Sequence, residues 1–443
     1  MKKQIIKLAI PSIIENILQI MLSTVDTYFV ASISAVAISA VGLNSLISNI
    51  YLTFFIAIGT GVSIMTARAD GQGSMKKVNQ AIQNALLLTG LIVVIATIMN
   101  LITRGPLLDF LGKEKELIEE ATLYFNVVIL PIGTLCFMTV LSSIVKSLND
   151  TKTPMYTALF INLVNVLLDY VLIIGIGDFK GIGIVGAGIA TTTSRLIGVI
   201  ILSIRLHQKT GFLKGFELKF RKGIKDMVHY AIPVGGEKLA MRIGQLFYGS
   251  LIVTIGVQHY TGHNIAGTIE AYSYLPGMGF GIAAFAIIGH AIGSKDYGDI
   301  RKAGVLSFKF STVFMIAIGL IFYIFAPQLA GIFTDDPEII RLVTIVLRII
   351  AFFQPFLCST QVIAASLQSL GDVKYPFYLT VFGIYGIRLL GTYILGLKLG
   401  LGLVGVWLSY ALDVTIRGTL LYIRFMRKTS SIEELEKEYS DVS

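Results

Sequence analysis

Ser147-Leu148-Asn149-Asp150-Thr151-Lys152-Thr153-Pro154-Met155-Tyr156 returns in the second half of the chain as Ser369-Leu370-Gly371-Asp372-Val373-Lys374-Tyr375-Pro376-Phe377-Tyr378, with six identities in ten. The offset that carries Ser147 onto Ser369 also sets Pro11 on Pro233, Glu15 on Glu237, Gly59 on Gly281, Ala69 on Ala291, Gly71 on Gly293, Ala81 on Ala303 and Cys136 on Cys358. Several of these matches are Pro, Gly, Asp, Glu and Lys, so shared apolar composition does not explain them. The chain reads as one unit duplicated in tandem.

Hydrophobic residues make up 54% of the 443 and charged residues only 14%, where a soluble domain carries about 25% charged. Mean hydropathy is +0.77. This composition excludes a soluble enzyme, a disordered chain and a coiled coil. Apolar stretches fall roughly at 5–30, 36–67, 82–104, 117–145, 155–177, 184–206, 226–256, 265–292, 303–331, 338–366, 376–398 and 402–425, each long enough to span a bilayer. Twelve spans leave only short loops. Pro11, Pro131, Pro233, Pro276 and Pro355 lie inside spans, where kinks are tolerated if neighbours satisfy the freed backbone.

The fold class is therefore an all-α integral membrane protein of twelve helices. Each duplicated half holds six spans, an even number, so both halves enter the bilayer the same way round. That predicts two six-helix bundles related by a pseudo-twofold axis along the membrane normal, as in transporters built from parallel repeats. The expected division is an N-terminal bundle at 1–206, a basic linker at 207–225, a C-terminal bundle at 226–425 and a tail at 426–443. The tail turns polar and acidic and reads as a frayed end.

Charge sets the orientation. Net charge is +9, which in a soluble protein would raise the question of nucleic acid; here the excess fits the positive-inside rule. The even loops and termini carry 23 Lys and Arg, seven of them in the linker from Arg205 to Lys225; the odd loops carry Arg104, Lys113, Lys115, Lys180, Arg341 and Lys398. Both termini are expected in the cytoplasm. Met1-Lys2-Lys3 before an apolar run suggests a signal peptide, but the run is too long, contains Glu15 and Asp26, and belongs to the duplication. The two cysteines form no CxxC and have no His/Cys cluster around them, which argues against a disulfide framework or a structural zinc.

An ionisable group at bilayer depth costs at least about 2.5–3.5 kcal/mol, so it is paired or lines a wet cavity. Six acids fall in spans: Glu15, Asp26, Asp169, Glu237, Glu270 and Asp413. Asn162, Asn165 and Asp169 share one helix face, and an amide with a carboxylate at i and i+4 can hold a hard cation or a proton. Thr191 on the next span lies at a similar depth. Asp26, Gln19 and Glu15 form one polar stripe. The alternative for each is a helix–helix hydrogen-bond cluster. Glu237 either faces a cavity or is neutralised by Arg242 or Arg388. Asp413 and Arg417, four apart, read as a structural pair. Glu270 is placed near the outer rim, in solvent. Asp335-Asp336 is a single acidic pair, too little for a metal-dependent prenyl-transfer enzyme, and GxxxxGK[ST] is absent.

Pro11-Ser-Ile-Ile-Glu15-Asn and Val25-Asp26-Thr27-Tyr28-Phe29-Val30 resemble the first helix of the multidrug and toxic compound extrusion (MATE) transporters. Asn149 through Pro154, Asn165 with Asp169, Gly186-Ala-Gly-Ile-Ala-Thr191, Ile232-Pro233 through Glu237, and Leu275-Pro-Gly-Met-Gly-Phe-Gly281 follow the same family in order. The resemblance covers about residues 5–425. It implies a secondary antiporter in the plasma membrane, exporting small organic, cationic or amphiphilic compounds in exchange for Na⁺ or H⁺ by alternating access. It implies a coupling-ion site of Asp26, Asn165, Asp169 and Thr191, with Asp26, Asn165 and Asp169 as metal ligands if the ion is sodium. The buried acids at repeated positions, Glu15 and Glu237, are read as a substrate or secondary cation site. No cofactor beyond the ion, no nucleic acid and a monomer are expected. Two features depart from the pattern. Gly289-His290-Ala291-Ile292-Gly293 stands where Gly-Gln is common. The tenth span has only Gln354 and Gln361 where some branches carry a carboxylate. A lipid-linked saccharide flippase of similar architecture is the alternative, and an integral-membrane enzyme a more distant one.

Overall fold

The computed structural model describes residues 1–111 and 114–440. Lys113, counted above among the odd-loop charges, and the last three residues of the tail lie outside them. The helices are α1 (Lys2–Ala31), α2 (Ala35–Gly71), α3 (Met75–Leu111), α4 (Lys115–Val128), α5 (Gly133–Ser147), α6 (Lys152–Asp169) and α7 (Gly183–Thr210). The second set is α8 (Ile224–Ile255), α9 (Val257–Ala271), α10 (Tyr274–Ser294), α11 (Gly298–Gly331), α12 (Pro337–Phe352), α13 (Gln354–Ser369), α14 (Lys374–Val381) and α15 (Gly402–Ser440). α15 runs on to Ser440, so the tail is helical up to that residue rather than frayed. A two-stranded hairpin, Gly175–Ile176 with Phe179–Lys180, precedes α7.

Eight helical stretches of the described chain are individually long and apolar enough to cross a bilayer. Two more spans are broken: α4 with α5, bent by 49°, and α12 with α13, bent by 58°. Pro131 sits in the first break, and Pro355 follows the second at the start of α13, because proline supplies no donor to the preceding turn. α8 and α15 complete the twelve expected stretches; they are long but carry several charges, among them Glu237, Lys238 and Arg242, and Asp413, Arg417 and Arg424.

The duplication survives in three dimensions as element order. Moved by the offset of the sequence repeat, α1 lies on α8, α2 on α9 plus α10, α3 on α11, and the two bent pairs on each other. A π-helical turn at Tyr170–Ile174 falls on the π-helical stretch Thr392–Lys398.

By packing, the chain divides within α1 and within α8: one compact unit is Ile14–Gly235, the other Met1–Ile13 with Gly236–Ser443. The N-terminal unit is built on Phe55, Phe125, Ile129, Ile132 and Leu141. The C-terminal unit is built on Phe280, Trp407 and Phe425, with Ile5 and Ala9 of α1 inside its core. Glycine permits that last packing: a Cβ on Gly279 would meet Ile13 Cγ1 at 2.3 Å and the Ala9 carbonyl at 2.9 Å. The basic linker is held by the start of α3. Gln83 donates to the carbonyls of Glu217 and Lys219 at 2.7 and 2.6 Å, and Asn84 both donates to and accepts from the Arg221 backbone.

Candidate functional site

α6 shows how the sequence places polar groups inside a membrane helix. Leu159, Leu163 and Leu167 are exposed, while Ile161, Asn165 and Asp169 are buried. The two rows are each spaced by four residues and lie on opposite faces. The apolar face is thus turned outward, the reverse of a soluble helix, and the polar face inward, as lipid demands.

The structure brings three of the four expected coupling-ion residues together in the N-terminal unit. Asp169 is 1% exposed and Asn165 fully buried; Asp26 on α1 is half-buried. With its amide nitrogen toward the acids, Asn165 donates to Asp26 Oδ1 at 2.6 Å and to Asp169 Oδ2 at 3.2 Å. Turned the other way, the amide would set a third oxygen beside the two carboxylates, the ligand type a hard cation takes. Helical geometry changes to a π-helical turn directly after Asp169, a feature frequent at functional sites. Asn162 does not join the cluster; it donates to the Leu18 carbonyl at 2.7 Å and fastens α6 to α1.

Thr191, the fourth residue, is buried on α7. Tyr124 of α4 lies near it and near both acids. Arg195, one turn beyond Thr191 on α7, interacts electrostatically with Asp26 and Tyr124. Sequence reasoning passed over both Tyr124 and Arg195. The signal for Arg195 is present in the chain: an arginine at bilayer depth, one helical turn from Thr191 and at the repeat position of Arg417.

Glu15 is in the same unit but in different company. It is 3% exposed, and its Oε1 takes Lys146 Nζ at 2.8 Å and the Ser142 hydroxyl at 3.3 Å.

In the C-terminal unit, Glu237 is 7% exposed. Neither expected partner reaches it. Arg242 lies exposed on α8 beside Gln245. Arg388 is committed to Asp413, with Nε at 2.9 Å and Nη2 at 2.6 Å from Oδ2. Among the described residues Glu237 makes no ion pair; it accepts from Gln368 Nε2 and from Thr380 Oγ1, both at 3.3 Å. Asp413 and Arg417 form the expected pair, Nε to Oδ1 at 2.7 Å, so one carboxylate is clamped by two guanidiniums. Arg388 also stacks on Tyr410, 4.1 Å from the ring centroid, and Tyr410 shares a hydroxyl–hydroxyl bond with Tyr274.

One further expectation is corrected. Glu270 is not in solvent but 5% exposed, at the end of α9 where the break before α10 turns it toward Tyr410. Asp336 of the outer acidic pair is the N-cap of α12, accepting from the amides of Glu338 and Ile339 at 2.9 and 3.3 Å.

The profile of the family described as MatE matches this chain twice, over residues 11–171 and 233–394. The chain belongs to the MatE family. The two matched segments are the two duplicated halves, so each half carries the family pattern by itself. Over 437 residues the chain is 29% identical to the probable multidrug resistance protein NorM of Thermotoga maritima, covering 96% of this chain and 92% of that one. It is 26% identical to the uncharacterized transporter YisQ of Bacillus subtilis, over 94% and 92% of the two chains. A solved outward-facing multidrug resistance MATE family transporter superposes with a TM-score of 0.89 at 23% identity, over 97% and 96% of the chains. At that identity the superposition speaks for the fold: all-α, twelve membrane helices, two bundles. This MatE protein is a multi-pass membrane transporter, not an enzyme.

Proposed function

We propose that this transporter is an antiporter of the cell membrane. It exports organic, cationic or amphiphilic compounds as a monomer, with both termini in the cytoplasm, in exchange for Na⁺ or H⁺ bound at Asp26, Asn165, Asp169 and Thr191. The observation that carries the reading is one amide within hydrogen-bonding reach of two carboxylates in the membrane interior. Two unit charges about 4 Å apart repel by about 4 kcal/mol at an effective dielectric near 20. A proton or a monovalent cation removes that repulsion, so ion occupancy and the arrangement of α1 against α6 are linked. An ion that binds one conformer better than another shifts the equilibrium by that difference, which is what coupling to a gradient requires. No cofactor beyond the ion enters this cycle.

Glu237 is the second half of the proposal. A buried carboxylate held only by neutral groups has no counter-charge within the protein, and a cationic substrate can supply one. The names of the multidrug resistance relatives support a broad substrate range. The 23-to-6 division of Lys and Arg supports the orientation.

The test is dye efflux from proteoliposomes under a Na⁺ gradient, a pH gradient or neither. Efflux driven by one gradient and absent without it is expected. Equal efflux in all three would sink the antiport reading. A reporter fused after Ser443 should work only in the cytosol; activity on the opposite face would overturn the orientation.

A further inference from the structure

Glu15 and Glu237 occupy equivalent places in the duplicated halves, and both are buried. Their partners do not match. Lys146, which neutralises Glu15 at 2.8 Å, has Gln368 as its equivalent at the same offset, and Gln368 bonds Glu237 at 3.3 Å. The second partners differ too. Ser142, bonded to Glu15, is replaced by Ala364; Thr380, bonded to Glu237, stands where the N-terminal half has Ala158.

A glutamine and a lysine of similar reach do different things to a carboxylate. Both donate a hydrogen bond. Only the ammonium cancels the charge. An amide can also turn its oxygen toward an arriving cation, which an ammonium cannot. Glu237, Gln368 and Thr380 would then offer a carboxylate, a carbonyl and a hydroxyl to one positively charged group. Resting on the reading of Glu237 as a substrate carboxylate, we infer that Gln368 is the specificity-determining residue of the C-terminal unit: it stands where the repeat holds a lysine, and so leaves Glu237 open to one organic monocation. Lys146 has the converse role and keeps Glu15 out of transport.

The experiment uses the full-length protein in proteoliposomes, with ethidium as the cationic probe and Nile red as the neutral one. Gln368→Lys should install the Glu15–Lys146 arrangement at Glu237. Ethidium efflux should then weaken by about tenfold or more relative to Nile red. Gln368→Met, which removes the amide oxygen without adding charge, should weaken ethidium relative to Nile red by only about threefold, less than Gln368→Lys does. A merely structural glutamine would lose both dyes alike in both variants, and that result overturns the inference. Should Gln368→Lys fail to insert, Gln368→Glu replaces it: a second carboxylate should strengthen ethidium relative to Nile red, and an unchanged ratio overturns the inference. Glu237→Gln tells the two levels apart. If it leaves the ethidium preference intact, the substrate role of Glu237 fails. If it abolishes the preference while Gln368→Lys does not, that role stands and the inference about Gln368 alone fails.

Discussion

The two halves of this transporter descend from one pattern and use it in opposite ways. In the N-terminal unit the acid on the first helix, Glu15, is locked by Lys146, while Asp26 and Asp169 meet across a neutral amide. In the C-terminal unit the acid on the equivalent helix, Glu237, is held by neutral groups, while Asp413 is locked by Arg388 and Arg417. The equivalences are residue for residue: Tyr248 stands at the position of Asp26, Gly391 at that of Asp169, Asp413 at that of Thr191 and Arg417 at that of Arg195. A buried charge is costly wherever either half keeps one, and each must be compensated. A fixed counter-charge serves where only packing is needed. A neutral partner leaves the carboxylate without a counter-charge, as the proposed ion and substrate sites require. Each unit keeps one site of each kind, at different depths of the same repeat.

The comparison breaks most readily at the N-terminal cluster. Asp169→Asn and Asp26→Asn should each reduce gradient-driven efflux to the leak of empty vesicles while the protein still inserts, because the amide preserves shape and removes the charge that an ion must neutralise. Wild-type efflux in both variants would make this cluster structural, like its C-terminal counterpart.

Asp413 should respond in the opposite sense. Asp413→Asn strands two buried guanidiniums, and removing one partner of a buried pair costs about 3–5 kcal/mol. The expected reading is a large fall in melting temperature in detergent, with the ratio of cationic to neutral dye efflux unchanged in whatever protein folds. Full stability with lost coupling would mean that the C-terminal cluster also works on an ion.

Glu237→Gln sharpens the contrast with Glu15. With no ion pair to break, it should lower the melting temperature little and weaken cationic dyes by about tenfold relative to neutral ones. Glu15→Gln frees Lys146 at depth instead, and should lower stability for all substrates alike. An equal thermal penalty for both variants would remove the distinction between them.

The smallest expected effect lies at another equivalent pair. Asp336 caps α12 through its side chain, whereas Glu114, its counterpart in the first half, precedes α4 without a side-chain cap bond. Asp336→Ala should cost about 1 kcal/mol, read as a shift of a few degrees in thermal unfolding. Glu114→Ala should be neutral. Equal shifts would show that the cap bond contributes nothing.

Much of the architecture was legible in the chain itself. Apolar length marked the spans, because lipid accepts no unsatisfied backbone. A constant offset marked the duplication, and the element boundaries keep it. Asn165 and Asp169 were legible as a pair because helix periodicity is local: four residues bring side chains onto one face whatever the rest of the fold does. Asp26 belonged with them only through resemblance to a family, since no local rule joins α1 to α6.

The partners of the buried charges were decided by tertiary structure alone. Sequence offered Arg242 and Arg388 to Glu237 with equal right. Packing turned Arg242 outward on α8 and gave Arg388 to Asp413, 25 residues away. Glu270, expected in solvent near a span end, is carried inward by the break between α9 and α10. Pairing between helices depends on their rotation and depth against one another, which are set by many side chains across the core at once. Periodicity and composition therefore determined which residues are buried in the membrane, and only the assembled bundles determined which of them meet a counter-charge and which meet only neutral partners.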